Sequence, residues 1–557
     1  MLRPPRPRSL LLPFGIALVL LTRANDSGSS EPDITGESWQ AGRPLSIAVR
    51  DGRASFDIPT PRPNARVLVI VSTLARSRGL FPIRLNVQPS DAPKPIERAR
   101  PTLETRPKLE RPEPLPLPGI ASGLPPERRT FYLIANGGEV AAASSYLAVE
   151  SRLKAVGQRI QVYEDVRDSG AVDDATLRDL IATFDDQIFP EAARRFGQAL
   201  DVDHDGRFSV LFSSWLNRLA GGKVSVDGFV RGADLEPGLG QPFGNRSDMM
   251  YLNTNLKAGP YLRTIVAHEY THAVNFSRKA LARGSIGLEE EGWLDEALAH
   301  LVEDSHGFST ANIDYRVSAF LSRPESYRLV VEDYYAADLF RSHGNRGATY
   351  LFLRWCVDRY GPGLIDALIR SDCRGVANLE AATGASFAEL FRKWTVSLYL
   401  SGLDPANAPE GAYRSIDPRG NLEDWVLAGP RTSTVGPSRP RDSWVAEGTT
   451  THYLIVEGFP GAKGVSIAVD GPGEAQIQVT AIPLPEGLGR PELTVRRQPS
   501  PDGRLLIQAE VVERDGTPVR LGALVWEPLV PANDPRKASC RRGGLDMLGI
   551  ARTFGTS

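Results

Sequence analysis

Five consecutive residues, His268-Glu269-Tyr270-Thr271-His272, carry the clearest chemistry in the chain. On an α-helix, side chains four apart lie on one face, so His268 and His272 can offer two imidazole nitrogens to one metal ion. Glu269 is a turn-neighbour of that face. Zinc held there lowers the pKa of a water, and Glu269 can take the proton as that water attacks a carbonyl. The motif also recurs by chance, and a salt-bridged helix face is its structural alternative. The setting favours the site. Tyr261-Leu262-Arg263-Thr264-Ile265-Val266-Ala267 places apolar residues at helical spacing just before it, and five of the seven histidines (His268, His272, His300, His306, His343) fall in this region.

A catalytic zinc needs a third protein ligand and one open position. Glu296, in Gly292-Trp293-Leu294-Asp295-Glu296-Ala297-Leu298-Ala299-His300, is the best candidate, on a second helix beginning near Trp293. Asp295 and His300 are its rivals. Sites with a third histidine extend the motif through a glycine turn to a nearby histidine. Those two places hold Asn275 and Arg278 here, which favours a glutamate on a separate helix. His300, His306 and Asn275 could bond the ligands from behind.

Two other constellations carry less. Asp201-x-Asp203-x-Asp205-Gly206 has calcium-loop spacing, but the twelfth position is Phe212 where an EF-hand needs glutamate. An Asp/Gly turn before a strand is the stronger reading and bound Ca2+ the weaker. Cysteine is scarce: Cys356 and Cys373 could pair or be buried free thiols, and Cys540 stands alone.

The elements that must position these groups follow from the pattern. Short apolar runs at 45–49, 67–71 and 83–87 suggest a small β module over 36–90, a candidate propeptide. Residues 91–128 are dense in proline and charge, as in Arg111-Pro112-Glu113-Pro114, and read as a linker. From Arg129, strands are expected at Phe131–Ile134, Gln161–Glu164, Arg207–Phe212 and Met249–Leu252, with Ala141–Val156 helical and one or two helices over Asp174–Leu200. The motif helix spans about 259–280, and Leu294–Leu400 is almost wholly helical. Strand patterns return at 453–456, 465–469, 477–479 and 505–509, read as a C-terminal β-sandwich over 440–530, with 532–557 a loose tail.

With these elements in place, the chain resembles the gluzincin metallopeptidases, the thermolysin-like clan, and more closely the bacterial hyicolysin family. The likeness covers about Arg129 to Ser401. It rests on Asp201–Gly206, Gly228-Phe229 to Leu235, Ser247–Thr254, His268–Phe276, Trp293–Asp304, Gly347–Phe352, Asp358-Arg359-Tyr360-Gly361 and the weaker Leu379–Gly384, in that order. The resemblance implies an α+β fold: a metallopeptidase domain over 129–402, with a mixed sheet and active-site helix, then a helical half, flanked by N- and C-terminal all-β modules. It implies His268, His272 and Glu296 as zinc ligands and Glu269 as general base. It also implies that Met249–Leu252 is an edge strand pairing with a peptide substrate. Relatives often show Asn at the place of Asp295 and Asp at that of Asn253. Related aminopeptidases draw an oxyanion-stabilising tyrosine from a Tyr-x-x-Gly element, and the matching stretch here is Gly344-Asn345-Arg346-Gly347. His343 beside it is the best substitute, ahead of Tyr350 and Tyr335.

The bulk properties set limits. The chain has 557 residues, enough for two to four domains, with 41% hydrophobic and 24% charged residues and a net charge of −2. Nothing in that balance suggests nucleic acid as a partner. Arg3, Arg6 and Arg8, the apolar run Leu10–Leu21 and Thr22-Arg23-Ala24 resemble an export signal over 1–24, with an uncleaved anchor as the alternative. Two functions follow. One is a secreted, periplasmic or cell-surface zinc peptidase acting on proteins or peptides, more in the manner of an endopeptidase. The other is an exported binding protein on a weak or inactive peptidase scaffold.

Overall fold

The computed structural model describes residues 42–59, 65–93, 96–99, 109–110, 117, 119, 123–134, 141–218, 225–283, 289–332, 342–403, 411–423, 425–484, 492–499, 505–512 and 518–526. The expected signal at 1–24, the tail at 532–557, most of the proline-rich tract, Tyr335 and Cys540 lie outside the described residues. The chain is a mixed α+β structure: β-sheet first, helices from about 260 to 400, then β-sheet again.

The N-terminal segment forms strands β1 (Leu45–Ile47), β2 (Arg53–Pro59), β3 (Arg66–Thr73) and β4 (Phe81–Ser90). Strand β4 alternates buried Ile83, Leu85 and Val87 with outward residues, so it buries one face. Strand β3 is buried on both faces, which requires cover from two sides.

The mixed sheet contains β5 (Arg128–Ile134), β6 (Tyr146–Val156), β7 (Ile160–Asp165), β8 (Phe208–Phe212), β9 (Gly228–Phe229) and β10 (Met249–Leu252). Their order is β5-β6-β7-β8-β10-β9. The β7–β8 and β8–β10 pairs are parallel and the rest antiparallel. Two expectations are corrected here. Residues 146–156 form a strand, not a helix. Leu147, Glu150, Leu153 and Lys154 are good helix formers, but pairing with β5 and β7 on both sides overrides that preference. Met249–Leu252 is also not the edge: β9 pairs along its outer side, with Tyr251 opposite Phe229 and Leu252 opposite Gly228. A two-residue strand leaves too short a pattern to be read from sequence.

Each face of this sheet has its own core. Phe131, Leu133, Val149, Tyr163, Leu211, Met249 and Tyr251 pack on one face. The other face presents Ile160, Val162, Phe208, Val210, Phe212 and Met250 to the helices. These begin with α1 (Asp174–Thr183), which runs through a π-turn at Phe184–Ile188 into α2 (Phe189–Arg195). Helix α3 (Pro260–Arg283) follows, with proline at its start, where the missing N–H costs nothing. Its buried residues Leu262, Ile265, Val266, Tyr270, Ala273 and Val274 recur at helical spacing and lie in the same core as the sheet. Phe184 and Phe208 meet the Tyr270 ring edge-on at 4.9 and 5.1 Å.

The helical half consists of α4 (Gly292–His306), α5 (Asp314–Ser322), α6 (His343–Tyr360), α7 (Gly363–Arg370), α8 (Gly375–Thr383) and α9 (Phe387–Leu400). Buried Lys279 on α3 donates to the carbonyls of Leu368, Ser371 and Cys373 and pairs with Glu290 at 3.0 Å, fastening α7 to the motif helix. Cys356 is buried, Cys373 is partly buried, and both are free thiols. The Asp201–Gly206 segment is a turn closed on itself: Asp201 accepts from the N–H groups of Asp205 and Gly206, and Asp203 pairs with Arg129 at 2.8 Å. No helix among the described residues is long and apolar enough to cross a membrane.

After α9 come the short hairpin β11 (Asn421–Leu422) and β12 (Trp425–Val426), then β13 (Thr432–Val435), β14 (Arg441–Ala446), β15 (Thr451–Glu457), β16 (Gly464–Asp470) and β17 (Ile477–Pro483). Strands β18 (Glu492–Pro499), β19 (Leu505–Val512) and β20 (Pro518–Trp526) form a three-stranded sheet of their own. The two terminal β segments are not separate modules. They interleave in two shared sheets, β1-β17-β3-β15-β13 and β14-β4-β16-β2. Strand β3 lies between β15 and β17, antiparallel to both. Helix α9 covers the first sheet: Tyr453 donates to the Thr395 carbonyl at 2.9 Å and Gln478 to the Ala388 carbonyl at 3.0 Å. Local pattern marks a strand but not its partner, and these partners lie almost 400 residues apart.

Candidate metal centre

Helices α3 and α4 run antiparallel, because contacts climb one as they descend the other. His268 meets Glu303, and His272 and Asn275 meet Asp295. Residues 294, 297, 298 and 301 of α4 point into the core, which turns Asp295, Glu296 and Glu303 toward the motif face of α3.

At the centre, His268 Nε2 and His272 Nε2 lie 3.1 Å apart. Each outer nitrogen is engaged by a carboxylate: His268 Nδ1 by Glu303 at 2.8 Å and His272 Nδ1 by Asp295 at 2.7 Å. Nδ1–H groups donating to those carboxylates leave both Nε2 atoms as lone pairs aimed at one another. Such an arrangement is repulsive unless a cation or a proton lies between them. Glu296 Oε2 is 3.5 Å from His268 Nε2, is buried and has no hydrogen-bond partner. Two imidazole nitrogens and an orphaned carboxylate oxygen, all within 4.8 Å of one another, could hold a metal ion such as zinc.

The charges agree. Burial alone would push the His268 pKa down, but Glu303 and Glu296 outweigh it and bring it up to about 10. Burial likewise opposes ionisation of His272, while Asp295 raises it. Glu296 is held well below the usual carboxylate range; burial works against this, and Arg346 and His268 overcome it. Without a metal, protons must supply the positive charge this site demands.

Behind the centre lies a buried polar chain. Glu303 accepts from His268, from His300 Nδ1 at 3.1 Å, and from Asn312 Nδ2 at 2.9 and 3.2 Å. Burial would raise its pKa, but His300 and His268 hold it down at about 2. Asn312 in turn accepts from Arg316. Asn275 Nδ2 donates to Asp295 Oδ1 at 2.6 Å. Of the two rival ligands, Asp295 bonds His272 and Asn275, and His300 bonds Glu303 through Nδ1; His268, His300 and Glu303 make a second group whose ligand atoms lie within 4.8 Å of one another. His306 lies away from it, stacked on Phe308. Glu303, Asn312, Arg316 and Arg346 were not singled out in the sequence. Glu303 had a signal, standing seven residues after Glu296 and so two turns along the same face.

Glu269 is 7% exposed, its pKa raised by burial against the pull of His268 and His272. It lies under the edge strand: a Cβ added to Gly228 would stand 3.1 Å from Glu269 Cγ. Asn253 holds this edge in place by donating from Nδ2 to the Val226 carbonyl at 3.0 Å and to Asn217 Oδ1 at 2.7 Å. Both bonds need an amide, so asparagine at this place has a structural reason.

Helices α5 and α6 adjoin the centre through Arg316 and Arg346. His343 opens α6, with its ring edge-on to Tyr315 at 4.9 Å. Burial, with help from Arg316 and Arg346, lowers its pKa to about 4, so it is neutral at ordinary pH. Three residues on, Arg346 Nη2 donates to Glu296 Oε1 at 2.8 Å. A side chain at Gly344 would strike the phenol end of Tyr327, so that position is closed by another aromatic ring. Tyr350 is fully buried and donates to Asp304 at 3.0 Å, so its hydroxyl is already engaged.

No family model matches the chain. Over 161 residues it is 28% identical to the neutral metalloprotease ShpI of Staphylococcus hyicus, a stretch covering 27% of this chain and 34% of that protein. The similarity thus spans about a third of that relative's length.

Proposed function

We propose that this chain is an exported zinc-dependent peptidase that hydrolyses peptide bonds within proteins, with His268, His272 and Glu296 holding the metal and Glu269 as general base. The observation that carries the reading is the pair of opposed imidazole nitrogens beside the orphaned oxygen of Glu296. The partial similarity to a neutral metalloprotease points the same way. Export is supported by the N-terminal sequence alone.

A bound zinc ion supplies Lewis-acid polarisation of the scissile carbonyl and lowers the pKa of water. The chain's own groups do the rest. Asp295 and Glu303 fix the ring orientation and tautomer of the two histidines. Buried Glu269, with its pKa raised, accepts a proton from the attacking water and returns it to the departing amine. Among the described residues β9 is the outer strand of its sheet, and its outer side would offer backbone groups to an extended substrate, above Glu269. Neutral His343, three residues before Arg346 on α6, would offer an N–H to the developing oxyanion.

The test is zinc stoichiometry of purified protein together with cleavage of casein by wild type and Glu269→Gln. Near one zinc per chain, internal fragments from wild type and none from Glu269→Gln support the reading. Wild type without zinc overturns it. Zinc without Glu269-dependent cleavage favours a binding protein on a peptidase scaffold.

A further inference from the structure

The two oxygens of Glu296 have different surroundings. Oε1 takes a hydrogen bond from Arg346 Nη2 at 2.8 Å, in a pair whose side chains are 4% and 17% exposed. Oε2 faces His268 Nε2 and has no hydrogen bond. The arginine comes from α6, whereas the glutamate is on α4. The origin of Arg346 is firmly placed, since a Cβ on the next residue, Gly347, would run into the Arg316 carbonyl. The first turn of α6 therefore rests directly on the backbone of α5. Arg316 of α5 bonds Asn312, which bonds Glu303, which bonds His268. Both ends of this frame converge on the metal ligands.

A carboxylate with both oxygens free can grip a cation through both. Two oxygens of Glu296, two imidazoles and a water would then make five donors, crowding the place that a catalytic zinc keeps for substrate. A charge-assisted bond to one oxygen prevents that, and arginine stays charged at every working pH. We propose that Arg346 is a positioning residue that limits Glu296 to one oxygen toward the metal and so leaves room there for substrate. The inference rests on the metal-centre reading above. The competing explanation is an ion pair that only ties α6 to α4.

The visible spectrum of the Co2+-loaded protein separates the two, because its band intensity reports coordination number independently of turnover. Arg346→Met should bind zinc as tightly as wild type or more tightly, shift the Co2+ spectrum from the four- to the five-coordinate pattern, and lower turnover about 10–100-fold. Arg346→Lys, which keeps a donor and a charge, should recover the wild-type spectrum. An unchanged spectrum in folded Arg346→Met overturns the proposal. So does loss of zinc in parallel with thermal stability, which is the signature of a tie between helices. If Arg346→Met does not fold, Arg346→Leu, which also lacks a donor, carries the same comparison. Wild type that takes up neither zinc nor Co2+ overturns the metal centre itself, an outcome distinct from failure of the Arg346 role.

Discussion

Replacing Glu303 with alanine should weaken zinc binding and destabilise the metal-free protein, although Glu303 is not proposed to touch the metal. Its carboxylate is fully buried and accepts from His268, His300 and twice from Asn312. Alanine leaves two imidazole N–H groups and an amide without acceptors, each unsatisfied group costing about 1–3 kcal/mol. Removing one partner of a buried charged network typically costs about 3–5 kcal/mol in all. A water entering the vacated space would hold the loss near the lower end. His268 also loses the bond that fixes its tautomer and direction, which should weaken zinc about 10–100-fold. That corresponds to roughly 1.4–2.8 kcal/mol. Denaturant unfolding in the presence of a chelator measures the first effect, and competition with a chromophoric chelator measures the second. Zinc affinity equal to wild type in Glu303→Ala would refute the claim that Glu303 orients His268. Unchanged stability would refute the satisfied-network account of its burial.

Four further outcomes are expected. Asp295→Asn should cost less than tenfold in zinc affinity, because an amide oxygen can still accept from His272 and the unpartnered Asn275 Oδ1 can turn to accept the new N–H; a complete loss of zinc contradicts this. His343→Ala should keep zinc and slow turnover by about 3 kcal/mol, roughly a hundredfold, whereas an unchanged rate clears it of the oxyanion role. Its folded pKa of about 4 lies below the ordinary 6.5, so the neutral ring favours folding above pH 6.5 and that contribution is lost as pH falls through 4; His343→Gln should flatten this part of the stability profile in chelator. Finally, a cut in the proline-rich tract should leave both fragments together in gel filtration, because β3 pairs at seven positions with each of β15 and β17; a stable, soluble product lacking residues 42–90 would show instead that this segment is a dispensable propeptide.

The sequence by itself determined the motif helix and the second helix with its glutamate. Both depend on local periodicity: apolar residues three and four apart choose the buried face, and the chemical residues then share the other. It also marked most strands, since alternation is equally local. It misread 146–156, where helix-forming residues lie in a strand held by two neighbours. Tertiary structure decided what depends on partners far away in the chain. Glu303 meeting His268 follows from the antiparallel docking of α3 on α4, and Arg346 meeting Glu296 from a third helix fifty residues on. The two-residue strand β9 is defined only by its pairing with β10, and the two shared β-sheets by strands from distant parts of the chain. His268, Glu269 and His272 mark the candidate centre, while the groups that orient the two imidazoles are brought together only when distant elements pack.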